Sequence, residues 1–230
     1  VQLPVELNSS KEGVGLNTSM YETQIAKALA ALREKEMAQE QTDPVERGRL
    51  YFAQAVIDGE DNRYNAALAH YDSAIKNEPD QTFYYINRGA LQAEMIDFIS
   101  SIESNVQVLS MDDTGNTRAR VKDQVIRQYD YTDAIEDMKK AAETVPDLPY
   151  TYYNLGNLYC LSSEHVSSIE NYSKAIELYP YMGDAYFNRG LVLIYLKDKE
   201  KGCIDLSRAG ELGVQDAYGV IKKYCEEENE

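Results

Sequence analysis

Apolar residues recur at helical spacing through most of this chain. Leu155, Leu158 and Tyr159 make one stripe; Ile169, Tyr172, Ile176 and Tyr179 make a second. The polar run Ser162-Ser163-Glu164 lies between them and reads as a turn. Pro180 stops the second stripe, since proline lacks an N–H and clashes with the preceding helical turn. Residues 149–182 are therefore predicted to form two antiparallel helices. A capping box, Ser19-x-x-Glu22, opens another helix with Ile25, Leu29 and Leu32 on one face. Asp43-Pro44-x-Glu46 is a further start, with Asp as N-cap and Pro at the first helical position. After Gly213 the pattern predicts a last helix over 215–225, carrying Tyr218, Ile221, Lys222 and Tyr224.

One stretch breaks the helical rhythm. Ile96, Ile99, Ile102 and Val106 extend a helical stripe, and then 105–111 becomes rich in strand formers. Asp112-Asp113-Thr114-Gly115-Asn116 has turn composition, and Thr117–Val121 alternates again. A long helix followed by a β-hairpin is the predicted order.

The helical pattern repeats. Tyr152-Tyr153-Asn154-Leu155-Gly156 returns 34 residues later as Tyr186-Phe187-Asn188-Arg189-Gly190. The same phrase stands 67 residues earlier as Tyr85-Ile86-Asn87-Arg88-Gly89, and Tyr51 lies 34 before Tyr85. The closing halves agree: Ala74 with Pro79, Ala141 with Pro146, Ala175 with Pro180. Small residues pair across each unit at a separation of 12: Ala55 with Ala67, Gly156 with Ser168, Gly190 with Gly202. Gly89 pairs with Ala134 only across an insertion. The span 82–148 is 34 plus 33 residues, so a degenerate extra repeat competes with an insertion. A degenerate repeat would put Lys122 at the close-contact position and Asn105 at the aromatic one, which favours the insertion.

These residues resemble the tetratricopeptide repeat (TPR) family. Its pattern is met by Tyr152, Leu155, Gly156, Tyr159, Ser168, Tyr172, Ala175 and Pro180, and by Tyr186, Gly190, Leu193, Gly202, Leu206 and Ala209. Arg189 stands where the pattern has Leu, Val214 replaces the closing Pro, and Gln54 and Asp58 depart in the first unit. The resemblance implies an all-α, right-handed superhelical array of helix hairpins with a C-terminal capping helix, to which a small inserted β-hairpin is added. The expected organisation is an extended arm (1–17), an N-terminal helix and linker (18–47), the array (48–214) and a capping helix with an acidic tail (215–230). The array divides into 48–81, 82–148 with an insertion at about 95–127, 149–182 and 183–214.

The family resemblance also implies that the first helix of each repeat lines a concave groove that takes a peptide or protein segment. The matching positions are Ile86, Asn87, Tyr153, Asn154, Asn157, Phe187, Asn188 and Leu191. Asn87, Asn154 and Asn188 are equivalent, and a row of amides can bond an extended backbone without reading its side chains. The family's basic clamp for a chaperone's acidic C-terminus is not matched, because Ile86, Tyr153 and Phe187 stand at its lysine positions. The alternative is a structural module of a larger, cell-envelope type of assembly whose groove is filled by its own chain.

Composition narrows the partner. With 23 Lys and Arg against 39 Asp and Glu the net charge is −16, which disfavours nucleic acid and points to neutral or basic protein partners. The excess is spread thinly, and residues 183–214 are neutral. Arg118, Arg120 and Lys122 on the insert are the local exception, which makes the insert a candidate for self-association or an interaction arm. No apolar run is long enough to span a bilayer. The 19 tyrosines, with no Trp, suit half-buried positions between packed helices. No nucleophile pairs with His70 or His165 in sequence, and no phosphate loop, metal-ligand spacing or cofactor motif occurs, so a non-enzymatic chain without cofactors is expected. Cys160, Cys203 and Cys225 follow no metal or redox spacing and are expected to be small buried apolar residues. A first residue other than Met suggests a processed or excised chain, which leaves cytoplasm and cell envelope both open.

Overall fold

The computed structural model describes residues 43–105, 108–111, 117–120 and 129–226. The expected arm and the helix before residue 43 lie outside them. Among the described residues the fold is helical, with helices α1 (Pro44–Glu60), α2 (Tyr64–Asn77), α3 (Thr82–Asn105), α4 (Thr132–Thr144), α5 (Pro149–Leu161), α6 (His165–Leu178), α7 (Gly183–Tyr195), α8 (Lys199–Glu211) and α9 (Asp216–Tyr224). Between α3 and α4 two short strands, β1 (Val108–Met111) and β2 (Thr117–Arg120), pair antiparallel with Val108 opposite Arg120 and Met111 opposite Thr117.

Two local devices make the helices fold back on each other. Within a hairpin, the first helix ends on a residue in the left-handed region: Asn62 (φ 57°), Ser163 (φ 63°) and Lys197 (φ 71°) occupy the same place in their units. There the next amide reaches back into the helix, from Arg63 to the Asp58 carbonyl, Glu164 to Tyr159 and Asp198 to Leu193. The corresponding place in the second unit is Ile96, where α3 instead runs on to Asn105. The long connection to α4 thus begins where the other units turn.

Between hairpins, Glu78, Val145 and Tyr179 adopt almost one conformation (φ −133° to −138°, ψ 79° to 89°). Each precedes a proline, whose ring forbids helical geometry to the residue before it. The fourth unit lacks that proline, and Gly213 at φ 98° makes the turn. Pro44 and Pro149 open α1 and α5 as first-turn residues. Asp43 precedes α1 as expected, but its side chain makes no capping hydrogen bond.

Helices pack in chain order, each against the next, and the first helices α1, α3, α5 and α7 also touch in series. Close contact depends on the small residues. The Ser168 hydroxyl donates to the Gly156 carbonyl at 2.8 Å. A Cβ on Gly156 would lie 2.5 Å from the Tyr172 ring, and one on Gly190 would lie 2.9 Å from the Gly202 carbonyl. Across the insertion, a Cβ on Gly89 would sit 3.0 Å from the Ala134 carbonyl, so α3 and α4 meet as the other hairpins do.

The core is a chain of four clusters rather than one centre, as expected where each unit buries its face on its neighbours. Tyr64, Tyr71 and Leu91 join α1–α3; Tyr131, Met138, Leu155 and Leu158 join α3–α5; Tyr153, Tyr172, Ile176 and Val192 join α5–α7; Phe187, Leu191, Leu206 and Ala217 join α7–α9.

The cysteine expectation needs correction. Cys160 is buried and free, but Cys203 and Cys225 form a disulfide, with Cα atoms 5.7 Å apart. Helix α9 runs back along α8 and brings the two together, a proximity that a spacing of 22 residues does not advertise.

Candidate functional site

Helices α3, α5 and α7 carry all eight positions singled out from the sequence, in unequal surroundings. Tyr153, Asn154, Phe187, Asn188 and Leu191 are buried. Ile86 is half-buried against the Tyr131–Leu158 cluster. Asn87 and Asn157 remain half-exposed.

The aligned asparagines differ most. Asn87 turns its amide onto its own helix, donating to the Phe83 carbonyl at 2.7 Å. Asn188 is buried to 1% exposure and donates to Asn157 Oδ1 at 3.0 Å and to the Tyr153 hydroxyl at 3.3 Å. Tyr172 donates to the same Asn157 oxygen at 2.7 Å. Tyr153, Asn157, Tyr172 and Asn188 therefore form one polar cluster where α5, α6 and α7 meet. Burial pushes the Tyr153 phenol up to about 12 and that of Tyr172 well above its ordinary value, so both remain neutral. Tyr172 was not among the predicted site residues. Its aromatic position in the repeat marked it as packing, and only its hydroxyl joins the network.

Two solvent-facing aromatics stand on the same helices: Phe83 on α3 (46% exposed) and Tyr150 on α5 (48% exposed). They occupy the same place in successive units, 67 residues apart, three positions before Ile86 and Tyr153. Sequence reasoning missed them because aromatics in an amphipathic helix read as core. The available signal was their register, which lies outside both apolar stripes.

Several charged side chains pair across the two helices of a hairpin, and two arginines also reach the preceding hairpin. Arg88 makes a two-pronged contact with Asp137 (2.7 and 2.6 Å) and reaches Asp72 on α2 with its third nitrogen. Arg189 repeats this with Asp205 (2.7 and 2.8 Å) and with Ser173 on α6 (2.9 Å). In the first unit, buried Asp58 gathers His70 (2.6 Å), Arg63 (2.6 Å) and Gln54 (3.1 Å), which accounts for both departures from the family pattern there. A cleft of about 290 Å³ opens beside Arg88, with Leu68, Asp72, Gln92, Asp133, Glu136 and Asp137 around it. Its arginine is already held by two carboxylates, so it is a by-product of the ion pairs. Among the described residues no three metal-ligating side chains converge, and no helix is long and apolar enough to cross a membrane.

No family model matches this chain, and no curated protein matches it. Solved structures do. MamA residues 41 to the end from Desulfovibrio magneticus RS-1 superpose with a TM-score of 0.56 at 17% identity, over 86% of this chain and 96% of that one. Pseudomonas aeruginosa pilF gives 0.61 at 13% identity, over 92% and 79%. The first TPR of Spaghetti (RPAP3), bound to an HSP90 peptide SRMEEVD, gives 0.50 at 12% identity, over 66% and 95%. Taken with the 34-residue period, the left-handed turns and the paired small residues, these likenesses show that the chain has the tetratricopeptide-repeat fold.

Proposed function

We propose that this chain is a non-enzymatic scaffold that binds a peptide or protein segment along the face of its first helices. The observation that carries this reading is the pair Phe83 and Tyr150. They are large aromatics left in solvent at equivalent places on adjacent helices, each with a half-exposed amide (Asn87 or Asn157) further along the same helix. Exposed aromatics beside amides can supply apolar contact and backbone hydrogen bonds together. The peptide-bound TPR of RPAP3 supports it by showing that this fold accommodates a peptide. In this reading the array follows a right-handed superhelix over 48–214, closed by 215–230. The insertion, which carries β1 and β2, is in this reading a second interaction surface. A net charge of −16 favours neutral or basic segments.

Of the eight sequence-derived positions, Ile86, Asn87 and Asn157 are the ones a ligand would touch, with Tyr153, Asn154, Phe187, Asn188 and Leu191 holding the helices in register beneath it. The test is to select peptides from a displayed library on the full chain and measure their affinity for the Phe83→Ala/Tyr150→Ala double variant. The expected result is at least tenfold weaker binding with unchanged helicity and Tm. Equal affinity would overturn the reading.

A further inference from the structure

We infer that the Cys203–Cys225 disulfide is a redox-sensitive staple: oxidised, it locks the capping helix α9 over the end of the array, and a dithiol reductant releases that helix. Helix α9 has only nine residues and buries only Ala217 fully. Isolated helices of that length are marginal in water. Val220, Ile221 and Cys225 are half-buried on Phe187, Leu191, Leu206 and Ala209, the apolar side of the last hairpin. The Tyr218 hydroxyl adds one bond to the Gly210 carbonyl at 3.1 Å.

The helix is therefore tethered at two ends. Gly213, in its left-handed conformation, is the turn that brings the chain back. Cys225, the residue after Tyr224, pins the far end to α8. Cutting the second tether leaves α9 hinged at Gly213, with Leu206 and Phe187 beneath it open to water whenever it lifts.

The chemistry balances simply. One thiolate of the dithiol attacks a sulfur of the pair, and its second thiol resolves the mixed disulfide. Two electrons and two protons pass to Cys203 and Cys225, and the dithiol leaves as its own disulfide. Both cysteines are half-buried, so a reductant has partial access. Cys160 does not enter this exchange: it is buried on α5, and burial pushes its thiol up to about 11. A disulfide that holds the end of the fold also suits the chain to an oxidising compartment, where such bonds persist.

The test uses the full chain prepared in an oxidising compartment. Alkylation of the unfolded protein should find one free thiol before dithiothreitol and three after it. Hydrogen exchange should show the α9 amides roughly 100-fold faster after reduction, from the loop entropy the crosslink removes, with α5 and α6 unchanged. The Cys203→Ser/Cys225→Ser variant should show the same fast α9 without reductant. Three free thiols in the oxidised preparation, or α9 exchange that reduction leaves unaltered, would overturn the inference.

Discussion

The second and third hairpins solve the same packing problem with opposite chemistry. In the third, Leu155 is buried among Leu158, Tyr131 and Met138, and Asn171 stands at the matching place on the second helix. In the second, Arg88 occupies the place of Leu155 and Asp137 that of Asn171, joined through two hydrogen bonds, with Asp72 of the preceding hairpin as a third partner. The fourth hairpin follows the second, with Arg189, Asp205 and Ser173. The Leu form draws its stability from area removed from water and tolerates repacking. The Arg form ties the two helices of one hairpin together by the planar fork of the guanidinium and reaches the preceding hairpin with its remaining nitrogen, but leaves a costly charge behind if its partner goes. The second and fourth hairpins are thus held internally by an ion pair and linked to the preceding hairpin by one further bond, to the Asp72 carboxylate and the Ser173 hydroxyl respectively, whereas the third relies on packing.

The comparison breaks most visibly when one charge is stranded. Asp137→Ala leaves Arg88 with only the exposed Asp72, and should cost about 4 kcal/mol in chemical denaturation. Leu155→Ala should cost about 3 kcal/mol through its cavity and show little salt dependence. Changing both partners at once, Arg88→Leu with Asp137→Asn, copies the third hairpin into the second and should cost less than about 1 kcal/mol. A double-variant cost near the sum of the single changes would show that the two forms are not interchangeable. Ser173→Ala removes one hydrogen bond from Arg189 and should cost about 1 kcal/mol.

The smallest effect sharpens the same contrast at a helix start. Asp198 caps α8, whereas Glu164 at the matching place makes no side-chain cap. The Lys201 ammonium and amide hold the Asp198 carboxyl below its ordinary value. Because the folded-state value is depressed, its stabilisation is present above the usual carboxylate range and fades as pH falls below it. Asp198→Ala should lower Tm slightly at pH 7 and leave it unchanged at pH 2.

Much of the fold was legible because the constraints that shape it are local. Small residues at a separation of 12 and prolines after each second helix act over a single turn or contact, and the structure places them where their chemistry requires. The Arg88 and Arg189 contacts were less legible. Each residue alone reads as a departure from an apolar position, and the reason appears only when Asp137 and Asp205 arrive from another helix. The Cys203–Cys225 pair was hidden for the same reason. At the candidate site, Asn87, Asn154 and Asn188 look identical in sequence. Asn188 is buried and bonded to Tyr153 and Asn157 of the preceding hairpin, whereas the first hairpin has Phe52 and Val56 at the places of those two residues and offers Asn87 no polar partner there. Equivalent positions therefore carry different roles, set by the neighbouring unit.

The binding face is tested most directly by the hydrogen-exchange footprint of a selected peptide on the full chain. Exchange should slow at the first turns of α3 and α5, around residues 83–90 and 150–157, with α4 and α6 unaffected. Protection confined to α4 and α6, or to the segment between α3 and α4, would contradict it.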